Sequence, residues 1–448
     1  MEKNEVYTAV CTGYNEDGSG VVRIDGVVIF VPGLLEGEEA EIGITAMKRH
    51  YGYGRIVRLI KTSPHRTEPV CKVYRLCGGC QILHMDRAEQ SRFKEEKLKQ
   101  CFRANANMEI EPLPIITAEP YTNYRNKVQI PVQVNHGEVE MGFYQKHTNR
   151  IIPFEECHAE SDLSNAIVSD LRIWFRELDC GDVMRHVLIK HAHRTGQVMV
   201  VFIVKKWPCH NDQELIQRLM DKYPMIKSLS ALVNKRTDNV ILDGKDVYLA
   251  GEPYIEEELL GKTFRISARS FFQINPFTTP LLYKTAIDYC ELSGKEILVD
   301  LYCGTGTIGM IASDKAKKVY GIEIVPDAIR DARKNAEIND VTNIEFLTAD
   351  ANQGAQRILK SKLKVDVVIV DPPRKGCTRD TLDAIVRISP KRLVYVSCDP
   401  ATLARDVKIL EENGYHMEKV QPVDMFPGTV HVETVVQMTR NDKSPLND

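Results

Sequence analysis

Apolar and polar positions alternate in short runs over the first sixty residues. VVRIDGVVIFV, EAEIGITAMK and GRIVRLI are separated by Gly-containing turns such as Glu16–Gly20, the pattern of half-buried strands in a small β-barrel. After the Pro-bearing link KTSPHRTEPV come a cysteine-rich stretch and a charged segment, about Met85–Ala106, that is expected to be helical. Residues 121–265 are β-rich, with a hairpin signal around Asn135–Gly137, strands at Val187–His191 and Val198–Val204, and helices near Ser161–Leu178 and Asp212–Lys222. Beyond residue 270 strand and helix alternate, which predicts a doubly wound parallel sheet. The expected class is α/β in three parts: an OB-like barrel over 1–60, a central β-rich unit over 61–265, and the doubly wound domain over 266–448. The helical segment at about 85–117 is expected to pack on the last domain, and the barrel to share no core with it.

Composition narrows the class without changing the picture. A chain of 448 residues suits about three domains. Lys+Arg 59 against Asp+Glu 62, with 43% hydrophobic and 27% charged residues, is ordinary globular usage and excludes disordered and collagen-like chains. No apolar run approaches the roughly 18 residues of a membrane span, and MEKNEVYTAV lacks a signal pattern. The expected compartment is the cytoplasm, where the twelve cysteines stay reduced unless they hold a metal or do chemistry. Residues 48–75 carry eight Lys and Arg against Glu68, with Tyr51, Tyr53 and Tyr74 interleaved. Such a patch either neutralises phosphates and stacks on unpaired bases or is a solvated basic face beside a linker.

The cysteine-rich stretch runs from Cys71 through Cys77, Gly78 and Gly79 to Cys80, with Cys157 further on in FEECHAE. Three thiols in ten residues beside Gly-Gly make a C-x5-C-x2-C triad lacking one remote ligand, which Cys157 could supply. Four sulfurs suit a [4Fe–4S] cluster or tetrahedral zinc. Cys11, Cys101, Cys180, Cys209 and Cys290 have no such company and read as packing residues.

In the C-terminal part, EILVDLYCGTGTIGM ends a strand at Asp300 and turns through Gly304, Gly306 and Gly309 into a helix. This satisfies G-x-G-x-x-G, so a dinucleotide site must be weighed. Glu323, ending the next strand in VYGIEI, can accept ribose hydroxyls in either a nucleotide or a methyl-donor site. Asp300 is awkward beside a pyrophosphate and acceptable beside a sulfonium. The fourth strand, VDVVIVDPPRKG, opens into Asp371-Pro372-Pro373-Arg374, and an arginine after the prolines points away from an exocyclic amine as methyl acceptor. The fifth strand delivers Cys398 just before a helix starting near Pro400. A free thiol is only about 3% thiolate at pH 7, so a helix N-terminus that lowers its pKa would help a nucleophile. Glu433, inside the apolar strand HVETVVQM, is a candidate base; a surface-facing Glu on an edge strand is the alternative.

These motifs, with FFQIN at 271–275, resemble the RNA uridine-5 methyltransferases, the family that makes 5-methyluridine in 23S ribosomal RNA and in the tRNA T-loop. The likeness spans nearly the whole chain, since residues 1–60 resemble the RNA-binding TRAM barrel. It implies a [4Fe–4S] cluster on Cys71, Cys77, Cys80 and Cys157. It implies S-adenosylmethionine contacts from Gln273, Tyr302, Glu323, Asp371, Gly304 and Gly306, with Cys398 as nucleophile and Glu433 as base. Thr307 is a departure, since ribosomal members often carry Asn there. Cluster-bearing members are typically ribosomal, so the expected substrate is a loop or bulge of 23S rRNA, with no membrane and no obligate protein partner. The competing expectations are a tRNA T-loop enzyme, an inert RNA-binding assembly factor, and an oxidoreductase resting on GTGTIG alone.

Overall fold

Five strands, β1 (Val6–Val10), β2 (Gly20–Ile24), β3 (Val27–Val31), β4 (Glu39–Met47) and β5 (Tyr51–Lys61), pair in the order β1-β4-β5-β3-β2 in the computed structural model, which describes residues 1–440. Their inward positions, among them Val22, Ile29, Val31 and Ile42, form the barrel core. On β5 the glycines face this core: a Cβ on Gly54 would lie 2.6 Å from Ile42. The alternate residues Tyr51 and Tyr53 are therefore turned outward, 37% and 40% exposed, with their rings around Phe30.

The barrel is not the independent appendage the sequence suggested. Leu35 packs in a buried cluster with Ile82, Met85, Phe93 and Val430, and the Tyr14 hydroxyl donates to Glu89. The basic stretch is also smaller than its sequence count. Arg58 pairs with Glu41 at 2.7 Å, Arg66 with buried Glu38 at 2.6 Å and Lys72 with Glu155 at 2.8 Å. Tyr74 is half-buried, with its hydroxyl turned in to Gln81 O at 2.6 Å.

Helix α1 (Arg87–Ala106) follows, capped by Asp86, whose carboxylate accepts Glu89 N–H at 2.8 Å. The central unit is a seven-stranded sheet of β6 (Lys127–Asn135), β7 (Glu138–Tyr144), β8 (Ile151–Pro153), β9 (Met184–His191), β10 (Val198–Val204), β11 (Ile226–Val233) and β12 (Lys245–Gly251), ordered β12-β11-β10-β9-β6-β7-β8. His136 and Gly137, at φ 51° and 83°, make the two-residue turn between β6 and β7. Helices α2 (Asp162–Glu177) and α3 (Asp212–Lys222) cover one face, burying Ile167, Leu171 and Leu215 against Val187 and Phe202. The other face meets the hairpin β13 (Tyr254–Leu259) and β14 (Lys262–Ser267) through Leu188, Val201, Ile255 and Ile266.

The last domain alternates as the sequence pattern indicates: α4 (Thr279–Cys290), β15 (Ile297–Leu301), α5 (Thr307–Ala312), β16 (Lys318–Glu323), α6 (Pro326–Ile338), β17 (Ile344–Thr348), α7 (Ala351–Lys360), β18 (Val367–Val370), α8 (Arg379–Ile388), β19 (Arg392–Ser397), α9 (Pro400–Glu411), β20 (Tyr415–Val423) and β21 (Glu433–Arg440). The order is β17-β16-β15-β18-β19-β21-β20. The first five strands are parallel; β21 pairs antiparallel with both β19 and β20. Leu98, Phe102 and Ala106 of α1 enter the same core as Leu403 and Val407 of α9, so the charged helix is built into this domain. No helix among the described residues is long and apolar enough to cross a membrane.

Candidate active site

In an open parallel sheet the carboxyl ends of the strands face a crevice where the strand order reverses. Here that point lies between β15 and β18. After β15 the chain turns through Tyr302, Gly304 and Gly306, at φ 67°, 55° and 80°, into α5. Asp300, 1% exposed, accepts Gly309 N–H at 2.9 Å through Oδ2, while its Oδ1 is buried without a partner. The Glu323 carboxylate accepts Gly304 N–H at 3.1 Å and Val325 N–H at 2.9 Å, locking the glycine turn to the end of β16. A cavity of about 790 Å³ opens beside them, lined by Tyr302, Glu323, Ile324, Asp350, Asn352 and Pro373.

The cofactor residues expected from sequence thus divide. Tyr302 and Glu323 line this cavity, and Gly304 and Gly306 shape the turn at its edge. Gln273 and Asp371 are not among its lining residues; both lie close enough to the buried Tyr283 to act on its hydroxyl, as Thr307 does. Sequence reasoning misses Asp350 and Asn352. Their signal is present, since TADAN follows β17 as Glu323 ends β16, at the same edge of the sheet.

Two strands bring the candidate nucleophile and base together. In the antiparallel β19–β21 ladder the last pair is Ser397 with Thr434, so Cys398 and Glu433 follow directly beyond it, near enough for the Glu433 carboxyl to act on the thiol. Because β21 is flanked by β19 and β20, Glu433 is interior, 4% exposed, and the edge-strand alternative does not hold. The 371–377 loop is fixed from α9. Buried Asp406 accepts Cys377 N–H at 2.8 Å and the Tyr395 hydroxyl at 2.6 Å, Arg405 donates to Lys375 O at 2.9 Å, and Thr402 donates to Arg374 O at 3.1 Å.

The electrostatics correct one expectation. The helix N-terminus does not lower the Cys398 thiol, because the Asp399 carboxylate occupies it, accepting Ala401 and Thr402 N–H at 3.0 Å. Burial, with the Glu433 carboxyl next in weight, pushes the thiol up to about 11, opposed by Arg374. Burial pushes Glu433 up to about 8, with Asp371 adding and Arg374 opposing. Burial raises Asp371 to about 7 and Asp300 to about 8.

Cys71, Cys77, Cys80 and Cys157 line one cavity of about 90 Å³, together with Tyr124, Arg125 and Pro427. Among the described residues, no three Cys, His, Asp or Glu side chains converge as a single ion requires. Tetrahedral zinc needs all four sulfurs about 2.3 Å from one centre. The thiols therefore do not form a zinc site as placed. The five cysteines assigned to packing, Cys11, Cys101, Cys180, Cys209 and Cys290, are all buried.

A family profile described as tRNA (Uracil-5-)-methyltransferase matches residues 86–441, and a TRAM domain profile matches residues 2–57. Proteins named uncharacterized RNA methyltransferases from Oceanobacillus iheyensis and Clostridium tetani are 40% and 39% identical, over 98% of this chain and 97% of each relative. The structure of the Pyrococcus abyssi tRNA (uracil-54, C5)-methyltransferase in complex with S-adenosyl-L-homocysteine superposes with a TM-score of 0.76 at 26% identity, covering 96% of this chain and 99% of that one.

Proposed function

The chain belongs to the tRNA (uracil-5-)-methyltransferase family, as a TRAM-containing, S-adenosylmethionine-dependent RNA (uracil-5-)-methyltransferase, and we propose that it methylates C5 of uridine in 23S rRNA with Cys398 as nucleophile and Glu433 as base. The observation that supports the chemical assignment is the register of β19 and β21, just beyond whose last pair Cys398 and the buried Glu433 follow. Uracil C5 is too weak a carbon nucleophile to take a methyl group unaided. Addition of the Cys398 thiolate to C6 makes an enolate with a nucleophilic C5. S-adenosylmethionine, when bound, supplies an electrophilic methyl group on a sulfonium. Glu433 then takes the C5 proton, the C5–C6 double bond re-forms, and the C6–S bond breaks to return the thiolate.

The residues present fit that donor. Glu323 is held at the cavity edge by two backbone N–H groups, and the orphaned Asp300 Oδ1 is an acceptor available to a cation. Arg374 lowers both the thiol and the Glu433 carboxyl, favouring the ionised form each needs. The target base must leave its stack before it can reach Cys398, which is easiest in a loop or bulge.

The [4Fe–4S] cluster is part of this proposal. Its support is that Cys71, Cys77, Cys80 and Cys157, the last of them far from the others in sequence, line one cavity. Support for 23S rRNA comes from the resemblance, in which the cysteine set and barrel together typify ribosomal members. The archaeal tRNA enzyme covers nearly all of this chain, barrel region included, so the domain set does not discriminate and a tRNA T-loop is the second reading. Mapping 5-methyluridine in rRNA and tRNA from cells lacking the gene decides: loss from 23S rRNA supports the first, loss from the T-loop alone overturns it. For the chemistry, Cys398→Ala should form no covalent RNA adduct, and Glu433→Gln should trap a methylated one.

A further inference from the structure

The chain reaches Glu433 through the segment Asp424–Val432, and donors from four separate parts of the molecule hold that segment's backbone. Met425 O accepts Asn275 Nδ2 at 3.1 Å, Phe426 O accepts Lys94 Nζ at 3.0 Å and Pro427 O accepts the Tyr124 hydroxyl at 3.1 Å. Gly428 O accepts both Gln81 and Ile82 N–H at 3.1 Å, and Gly428 N–H donates to Gln90 Oε1 at 2.9 Å. The peptide groups of Val430 are gripped on both sides. Its N–H donates to Gln81 Oε1 at 3.3 Å, and its carbonyl accepts Lys97 Nζ at 3.0 Å. Lys97 also donates to Glu16 O of the barrel at 3.0 Å. Upstream, Asp424 is anchored between buried Lys94 at 2.5 Å and Arg87 at 2.7 Å.

This is more restraint than a turn needs to close. Gly428 holds φ +76°, a left-handed conformation that favours glycine, and a Cβ there would lie 2.5 Å from a terminal methyl of Leu83 of the cysteine loop. The contacts come from the cysteine loop, from α1, from Tyr124 ahead of β6 and from the start of the last domain, and all converge within nine residues of Glu433. A base must be held within about 0.5 Å of its working position, and a misplacement of about 1 Å costs roughly a hundredfold in rate.

Building on the assignment of Glu433 as base, we propose that Gln81 and Lys97 are positioning residues for Glu433, acting through the peptide groups of Val430. The cysteine loop and the barrel-to-helix junction thereby fix the proton-abstraction geometry.

The test uses the full-length Gln81→Ala and Lys97→Met variants in single turnover with substrate RNA and a methyl-labelled cofactor. Each should form the Cys398-linked, methylated adduct at the wild-type rate and resolve it roughly ten- to a hundredfold more slowly, so that labelled adduct accumulates on denaturing gels. A merely structural role lowers the amount of active enzyme and leaves the resolution rate per adduct unchanged. Gln81→Ala removes a half-buried amide and keeps the test valid should Lys97→Met fold poorly. Resolution at the wild-type rate in the folded variants overturns the proposal, provided Glu433→Gln traps its adduct in parallel. If Glu433→Gln also resolves normally, the base assignment is wrong and the positioning proposal falls with it.

Discussion

Resolution of the covalent adduct should be governed by the ionisation of Glu433. Burial holds this carboxyl near 8, and only its ionised form can accept the C5 proton. A group titrating there is about 10% ionised at pH 7, half at pH 8 and about 90% at pH 9, so resolution should speed up about tenfold across that window. Adduct formation has a different limb. With the thiol near 11, the thiolate fraction rises about tenfold for each pH unit over the same range. Removing the Arg374 charge should move both limbs to higher pH, because its guanidinium lowers both groups. The assay is a rapid-quench single turnover between pH 6.5 and 9.5 with methyl-labelled cofactor, following adduct formation and decay separately on denaturing gels. A decay rate that is flat across this range, or limbs that stay in place in Arg374→Gln, would show that Glu433 is not the titrating base.

Other perturbations bear on stability, the cysteine cavity and RNA binding. Asp300, Asp371 and Glu433 are all raised by burial, so the folded protein holds protons that the unfolded chain releases; cofactor-free stability should fall as pH rises from about 4.5, until about 7 for Asp371 and about 8 for Asp300 and Glu433. Thermal melting at pH 5.5 and 8 checks this, with Asp300→Asn flattening the trend and a higher melting point at pH 8 refuting it. Anaerobically purified protein should carry iron and sulfide that disappear in Cys77→Ser, whereas stoichiometric zinc without iron would refute the cluster. Tyr51→Ala with Tyr53→Ala should weaken RNA binding by about 1–3 kcal/mol for each stacked base given up, without changing the salt slope. Lys48→Gln and Arg49→Gln should instead make that slope shallower by about 0.7 for each phosphate no longer neutralised, as anisotropy titrations in graded salt would reveal.

Elements whose burial pattern follows from neighbouring residues were legible in the sequence. Helix α3 spans Asp212–Lys222 and β10 spans Val198–Val204, both as periodicity and boundary residues indicate. The strand β13, YIEEEL, is harder to isolate because three glutamates sit in it. Only Glu257 is buried, and the backbone N–H groups of His193 and Arg194 hold its carboxylate. Helix α1 misleads in another way. Its composition is that of a solvated helix, yet Lys94 is fully buried because Asp424 lies opposite, 330 residues along the chain. No local window contains that pairing. The same distance effect explains the thiol of Cys398. Proximity to a helix start is visible in the sequence, but the occupation of that start by Asp399 and the approach of Glu433 from β21 depend on rotamer and sheet order.

Charge resolves the ambiguity left by GTGTIG. A glycine turn of this shape can take a pyrophosphate when helix N–H groups are free and the surroundings are neutral or basic. Here Glu323 already occupies Gly304 N–H and Asp300 occupies Gly309 N–H, so two donors near the turn are used by carboxylates of the chain itself. Asp371 and Glu323 each raise Asp300, and Asp371 raises Glu433, so the acids sense one another across the crevice. A dianionic pyrophosphate would add repulsion to carboxyls already raised by burial, whereas a cationic sulfonium relieves it and draws their protons off. The acids facing the crevice therefore favour a positively charged methyl donor, and its arrival should lower Glu433 until methyl transfer discharges the sulfonium.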